Sequence, residues 1–396
     1  MNPNFYWLMV TRFLFVLGVQ IQAVLMGWQM YDLTRDPLQL GLIGLAEAIP
    51  ALSLSLFAGL LVDRLNPFRF YQLMIVISLV SVSIAWAGHS PSALYLAAAL
   101  TGLARSFAGP SLNSFIPKLV PREELRRTSA VTTTVYRSAA VIGPGLAGVL
   151  LGIRGYDFPY ELALGSLVIA SLSLFMIRYT HVKKPRLQLD IKPAVLDELL
   201  VGARYVFRHP ILLSALSLDM FAVLFGGITA ILPIYALEIL HVGPEGLGWL
   251  RAAPAFGTIC MSLYLIKKPM SKNAGQALLW SVFGFGICIL VFGFSRNFWL
   301  SISVLMISGL LDSISMYVRG AIVQLCSPED MRGRIAAVNS IFIGSSNEIG
   351  EFETGVAAKL LGSVPSVIFG GCMTLITVSV VFWKAKSLRT LDLGKL

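Results

Sequence analysis

Long apolar runs, broken only by glycine, proline and short charged clusters, dominate this chain. Twelve can be marked out, at about 5–31, 38–62, 70–88, 92–117, 128–152, 159–179, 211–238, 244–266, 275–294, 298–326, 335–360 and 364–384. A helix crosses a bilayer in roughly 20 such residues. None of the runs alternates apolar and polar with the period of a barrel strand, so all are expected to be helices. Twelve crossings use about 240 residues, and the remainder of the 396 is too thinly spread for a separate soluble domain. Composition agrees, with 56% apolar and 13% charged residues against about 25% charged in soluble domains. That balance excludes a cytosolic enzyme, a disordered chain and a disulfide-stapled secreted domain. The expected fold class is an all-α membrane protein of twelve transmembrane helices.

Cys260, Cys288, Cys326 and Cys372 lie inside apolar runs without CxxC spacing, so neither a disulfide framework nor a metal site is expected. The first run contains Arg12 and lacks a small-residue cleavage site, so it reads as a retained helix. The net charge of +10 would mean nucleic acid in a soluble protein. Here its placement says otherwise. With the N-terminus in the cytoplasm, 22 of the 31 Lys and Arg fall in cytoplasmic connectors and tails. Four lie on the other side (Arg35, Arg154, Arg296, Lys359) and five within spans. This asymmetry predicts a multi-pass cell-membrane protein with both termini cytoplasmic, the membrane being the inner one if the source is Gram-negative.

The longest hydrophilic stretch, 180–209, contains Leu196, Leu199, Leu200, Ala203 and Phe207 at helical spacing, which predicts an interfacial amphipathic helix. It divides the chain into 1–179, the linker 180–209 and 210–396. The two halves match. Gly44, Pro50 and Ala51 recur 204 residues on as Gly248, Pro254 and Ala255. Gly102, Pro121, Arg127, Val131 and Gly148 recur 207 residues on as Gly309, Pro328, Arg334, Val338 and Gly355. A six-span repeat of this kind is the build of a transporter whose substrate site lies between two pseudo-symmetric bundles near the midplane.

Three local patterns extend this reading. After span 2 comes Gly59-Leu-Leu-Val-Asp63-Arg64-Leu-Asn66-Pro67-Phe68-Arg69. Span 5 carries Gly143-Pro144-Gly145-Leu-Ala147-Gly148 with Arg137 ahead of it; glycine and proline there thin and bend the helix so that two bundles can approach. Third, Asp312 and Arg319 precede Arg332-Gly333-Arg334 and Ser346-Asn347-Glu348-Ile-Gly350-Glu351-Phe352-Glu353. Together they resemble the major facilitator superfamily, in particular its branch of siderophore exporters and macrolide efflux pumps. The resemblance implies a proton-driven exporter. It implies a conformational latch at Gly59, Asp63 and Arg64, with Arg332 and Arg334 as its counterpart. It also implies an antiporter-type hinge at Arg137, Gly143, Pro144 and Gly148. Asn66 and Pro67 stand where the family pattern has Gly-Arg, which predicts a differently built latch.

A charge at the bilayer centre costs from about 2.5 kcal/mol to well over 10, so each must find a partner or a water-filled cavity. Asp219, Glu348, Glu351, Asp312 and Glu47 are the candidates for proton coupling. Glu348 and Glu351 share a helix face, being three apart. For each acid the alternative is a permanent structural pair: Glu348 or Glu351 with Arg319 or Arg251, Asp312 with Arg319, and Glu47 with Arg105. Glu47 and Arg251 occupy equivalent positions in the repeat, with opposite sign. Gln20, Arg105, Arg319, Arg251 and Asn347 are the candidates for the substrate cavity, an interhelical hydrogen bond being the alternative for Gln20. Trp28 and Tyr31 are expected in the interfacial aromatic belt.

The expected function is secondary active export of a small amphiphilic molecule, a siderophore or a drug, by alternating access with proton antiport. A lipid flippase of the same fold, moving lysophospholipid for example, is the main alternative. His89, His181, His209 and His241 lie in connectors or span ends, and no HExxH, GxSxG or Walker pattern is present, so enzymatic and ATP-driven readings have no support. A channel fits poorly with the repeat. The expected partners are the small-molecule cargo and the bilayer, with no nucleic acid, no cofactor and a monomeric state; a proton gradient supplies the energy.

Overall fold

A computed structural model describes residues 3–64, 66–121, 124–177, 194–268, 270, 272–328 and 331–395. The side chains of 55–57, 59–60, 63–64, 125–127, 130, 194–200, 332–333, 337 and 395 are outside the description. The expected latch residues Gly59, Asp63, Arg64 and Arg332 therefore lie outside the described side chains, and residues 180–193 of the expected linker lie outside the described residues.

The helices are α1 (Pro3–Thr34), α2 (Pro37–Arg64), α3 (Pro67–Ala87), α4 (Pro91–Leu119), α5 (Leu125–Arg154), α6 (Asp157–Phe175), α7 (Ala194–Arg208), α8 (Pro210–Gly226), α9 (Leu232–Ile234), α10 (Gly243–Lys267), α11 (Ala274–Phe294), α12 (Phe298–Leu325), α13 (Arg332–Leu361), α14 (Ser363–Lys384) and α15 (Lys386–Arg389). Many of them start at proline, which loses nothing at a first turn whose N–H is unbonded anyway. Asn66-Pro67, the departure from the family loop pattern, has this local role. The Asn66 side chain accepts a hydrogen bond from the Phe68 N–H at 3.1 Å, and Pro67 opens α3. At the other ends, Gly155 (φ 68°) and Gly362 (φ 93°) stop α5 and α13 in the left-handed region.

Ten segments are long and apolar enough to cross a membrane by composition alone, the α8–α9 segment counting as one. The two expected spans left out are α4 and α13. Their shortfall lies in their polar residues: Thr101, Arg105, Ser106 and Ser111 dilute α4, and Asn347, Glu348, Glu351 and Glu353 dilute α13. Large apolar side chains such as Trp383 (80% exposed) and Leu360 (76%) face outward, as a lipid-facing surface requires.

Span 7 differs from its expected single helix. It breaks after Gly226, passes through a 3₁₀ turn at Thr229–Ile231 and ends in a π turn at Tyr235–Ile239. Gly226, Gly227 and Pro233 weaken the helical ladder, and the freed Gly227 carbonyl accepts a hydrogen bond from Thr354 Oγ1 of α13 at 2.6 Å. The amphipathic helix forms as α7, and the C-terminal part of its apolar side packs on protein. Val206 is fully buried, Gly202 lies against the Arg334 backbone of α13, and among the described side chains Phe207 and Val201 stand out, 60% and 41% exposed; Leu196, Leu199 and Leu200 lie outside the described side chains.

Packing reproduces the sequence repeat. Gly102 of α4 abuts the Glu47 carbonyl of α2, and its counterpart Gly309 of α12 abuts the Pro254 carbonyl of α10; a Cβ would lie 2.1 and 1.9 Å from those oxygens. Between the halves, α5 crosses α10 at Gly148–Gly248 and α2 crosses α13 at Gly41–Gly355. A Cβ on Gly148 would lie 2.5 Å from the Gly248 Cα, and one on Gly355 would lie 2.6 Å from the Gly41 Cα. Both crossings lie toward the face opposite the chain termini.

Candidate functional site

Between the halves lies a cavity of about 530 Å³. Its walls are largely apolar, from Phe15 and Val19 of α1 to Phe285 and Ile289 of α11 and Leu305 of α12. Polar groups are few: Gln20, Thr101, Tyr136, Thr229, Thr258, Ser308 and Asn347 accompany the charges. The glycine crossings shut it on the side away from the termini. There Tyr31 donates a hydrogen bond to Glu238, and Lys359 of α13 pairs with Asp36 at 3.0 Å, each contact joining one half to the other.

At the shut end, charge is concentrated. Arg105 of α4 pairs with Glu47 of α2 and, across the boundary, with Glu348 of α13 at 3.3 Å. The acids are recessed, with 12% and 9% of their side chains exposed, while Arg105 is 49% exposed, to the cavity itself. Glu351, one turn along α13, lies beside Gly44, where a Cβ would come within 2.8 Å of its own. Arg251 of α10 leans on Gly27 of α1, its Nη2 placed 3.1 Å from where a Cβ would stand, and its Nε is buried without a hydrogen-bond partner. Glu47, Arg105, Arg251, Asn347, Glu348, Glu351, Gln20 and Asp312 all line the cavity.

Other expectations are redistributed. Arg319 is not a cavity residue: it is buried and pairs with Asp219 of α8 rather than with Asp312. One face of α12 carries both Asp312 and Arg319, but α8 supplies a carboxylate at the Arg319 level. Asp312 is instead turned to the cavity, where the field that reaches it is that of Arg137 of α5. Gly143 packs within its own half, against Gln20, whereas the Pro144 carbonyl and Gly148 meet Gly248 across the boundary. Arg334 sits at the α7–α13 joint. Tyr31 is 3% exposed and Trp28 packs on the core, so neither is an outward belt residue. Gln22 and Gln29 are interhelical, Gln22 donating to Ser81 at 2.7 Å and Gln29 accepting from Tyr160 at 2.7 Å. A further symmetry went unread in the sequence: Arg105 and Asp312 are also 207 apart. The same offset that pairs Gly102 with Gly309 finds it.

The chain matches the family model of the Major Facilitator Superfamily over residues 8–385. It belongs to the major facilitator superfamily. Among curated relatives of this superfamily member is Enterobactin exporter EntS of Citrobacter koseri, 25% identical over 379 residues, which are 93% of this chain and 86% of the relative. Among solved structures, a POT family transporter in complex with 5-aminolevulinic acid superposes with a TM-score of 0.78 at 12% identity, covering 98% of this chain and 97% of that one. A bacterial homolog of the human lysosomal transporter Spinster, inward-facing and unoccupied, gives 0.73 at 15% identity, covering 100% and 98%. The superfamily fold of two six-helix halves accounts for the packing above. The chain is a transporter and not an enzyme.

Proposed function

We propose that this chain is a secondary active exporter that carries a small amphiphilic organic molecule across the cell membrane by alternating access with proton antiport. The observation that carries the reading is the cavity between the halves, shut on one side by glycine crossings and floored there by Glu47, Arg105, Arg251, Glu348 and Glu351. The lopsided distribution of Lys and Arg supports cytoplasmic termini, which makes the open side of the cavity cytoplasmic. Apolar walls with a few convergent polar groups suit an amphiphile, and the relatives named as enterobactin exporters favour a siderophore-like cargo.

Arg105 gives the reading its chemistry. An acceptor group on the cargo competes with the Glu348 carboxylate for the Arg105 guanidinium, which sits on a helix of the other half. Displacing Glu348 removes a contact that holds the far face shut, so cargo binding favours opening there. After release, a proton on Glu348 keeps it off Arg105 during the return, and its loss to the cytoplasm re-forms the pair. Cargo and proton thus take turns, as antiport requires.

Reconstitution in vesicles with an imposed pH gradient tests this, with a catecholate siderophore, a macrolide, a cationic dye and a lysophospholipid as probes. Gradient-dependent, saturable transport of at least one, uncoupled from the gradient in Glu348→Gln, is expected. Lysophospholipid movement indifferent to the gradient, with the other probes inert, would replace export by lipid flipping.

A further inference from the structure

The cavity-facing stripe of α1 runs through Phe15, Val19, Ala23 and Met26. About one helical turn before Phe15, toward the face of the chain termini, the same stripe reaches Arg12. Its guanidinium lies over the ring of Tyr136 of α5, 5.6 Å from the centroid, and Tyr136 is itself part of the cavity wall. An arginine that merely snorkels would carry its head outward to the lipid headgroups; this one lies against the cavity wall. Among the described residues no carboxylate is within ion-pairing distance of Arg12 and no acceptor hydrogen-bonds it, and its Nε is buried without a partner. The ionisable groups beside it are Tyr71 of α3 and Tyr136. Tyr71 is 2% exposed, its ring held edge-on to Phe15 at 5.9 Å, and its hydroxyl makes no hydrogen bond to a described residue.

A charge inside the membrane must find a partner or water, and an aromatic face attracts a cation without neutralising it. The groups gathered at Arg12 can all donate a hydrogen bond, and none carries negative charge: the guanidinium and the two tyrosine hydroxyls, set among the rings of Phe15, Tyr71 and Tyr136. Such a set suits an acid group carried on a flat apolar body, the acid meeting the guanidinium and the body meeting the rings. We propose that Arg12, Tyr71 and Tyr136 form an entry station at the cytoplasmic mouth of the cavity for an anionic aromatic cargo, one that bears a carboxylate or a comparable acid group. The proposal rests on the export reading for its direction and narrows the cargo of that reading from an amphiphile to an acid. The far end of the cavity repeats the charge. Arg251, whose Nε is likewise unpartnered, rests against Gly27 of the same helix, about 22 Å deeper by helical rise. Glu351 and Glu47 are its neighbours there, but no ion pair joins them to it among the described residues. An anion that enters at Arg12 thus has a second guanidinium ahead of it, whereas a cationic cargo would meet unpaired arginine at both ends.

Purified full-length protein in an uncharged detergent is titrated calorimetrically with 2-naphthoate and with 2-naphthamide, which are alike in shape and differ in charge. Naphthoate should bind saturably and at least about tenfold more tightly than the amide. Arg12→Gln should erase that preference by weakening naphthoate and leaving the amide unchanged, and Arg12→Lys should keep part of it. Tyr71→Phe, which removes only a hydroxyl, should weaken naphthoate several-fold. If Arg12→Gln does not fold, Arg12→Lys and Tyr71→Phe carry the test through the naphthoate-to-naphthamide ratio. Failure of naphthoate to bind, equal binding of the two probes, or a preference that survives Arg12→Gln would overturn the entry station. So would an Arg12-dependent rise in Tm with phosphatidylglycerol and none with naphthoate, which would make Arg12 a lipid anchor. The two readings fail separately. Gradient-driven transport of the cationic dye without any anion preference leaves export standing and removes this proposal; Arg12-dependent naphthoate binding in protein that transports nothing against a gradient does the reverse.

Discussion

Arg105 is the residue on which the shut end of the cavity turns, because it satisfies carboxylates from both halves at once. Removing one member of a buried pair costs about 3–5 kcal/mol, since the other is left as an uncompensated charge. The cavity solvates Arg105, so a discount is due, and Arg105→Gln should cost about 1–3 kcal/mol; Glu348→Gln, which removes one of two acids from a shared base, should cost less. Thermal unfolding of the two variants in one detergent checks the order, and equal losses would mean that Arg105 is not shared. Farther out, Asp36 gives a pH signature. Burial works to raise its carboxyl, but Lys359 and the Leu38 N–H outweigh that and hold it below the ordinary carboxylate range. A lowered value in the closed state means the pair contributes fully above the ordinary range and is lost as pH falls below about 4. At this exposure it is worth at most about 1 kcal/mol, so spin-label distances across this face should widen only slightly on acidification, and not at all in Lys359→Ala. These pairings were not legible in the sequence. Spacing shows that Asp312 and Arg319 share a face; it does not show that α8 brings Asp219 to Arg319, because the rotation of one helix against another is set by packing.

Helices were the legible level, and for a physical reason: apolar length and the proline and glycine at the ends are local. The expected spans end within a few residues of the observed ones, and the exception, span 7, breaks where Gly226-Gly227 and Pro233 stand in the sequence. Glycines at helix crossings were visible as repeats, but their division of labour was not. Gly102 is held within one half and Gly148 between halves. An added methyl in a tight contact costs about 1–3 kcal/mol, and the two sites should spend it differently. Gly102→Ala should lower the unfolding temperature with little effect on the closed face. Gly148→Ala should push α5 from α10 and shift the open–closed balance of that face by about 5–150-fold, read as labelling of a cysteine placed at Pro244, while unfolding changes little. The same result for both variants would mean that the α5–α10 crossing is as permanent as the α2–α4 one.

At the scale of the molecule, the repeat has kept geometry and exchanged charge. Glu47 and Arg105 pair within the first half, whereas their counterparts Arg251 and Asp312 look outward, Arg251 to α1 and Asp312 to Arg137. A symmetric pair of stapled bundles would have no electrostatic reason to prefer one mutual orientation. Here half of the repeated charge set is spent across the boundary, so each half reports the other's position and the binding of a proton or cargo can bias it. If the halves move as bodies, a tether far from the cavity must stop transport without touching the site. Asp36 and Lys359 offer the place, joining the halves on the shut face at a loss of at most about 1 kcal/mol when both are replaced. With the exposed Cys260 and Cys372 changed to serine, Asp36→Cys with Lys359→Cys should transport cargo while reduced. A short disulfide-containing linker across the pair should abolish flux yet leave cargo binding from the terminal side intact, because that mouth is untouched, and reductant should restore flux. Transport persisting at the reduced rate in fully linked protein would mean that cargo crosses without the halves separating on this face.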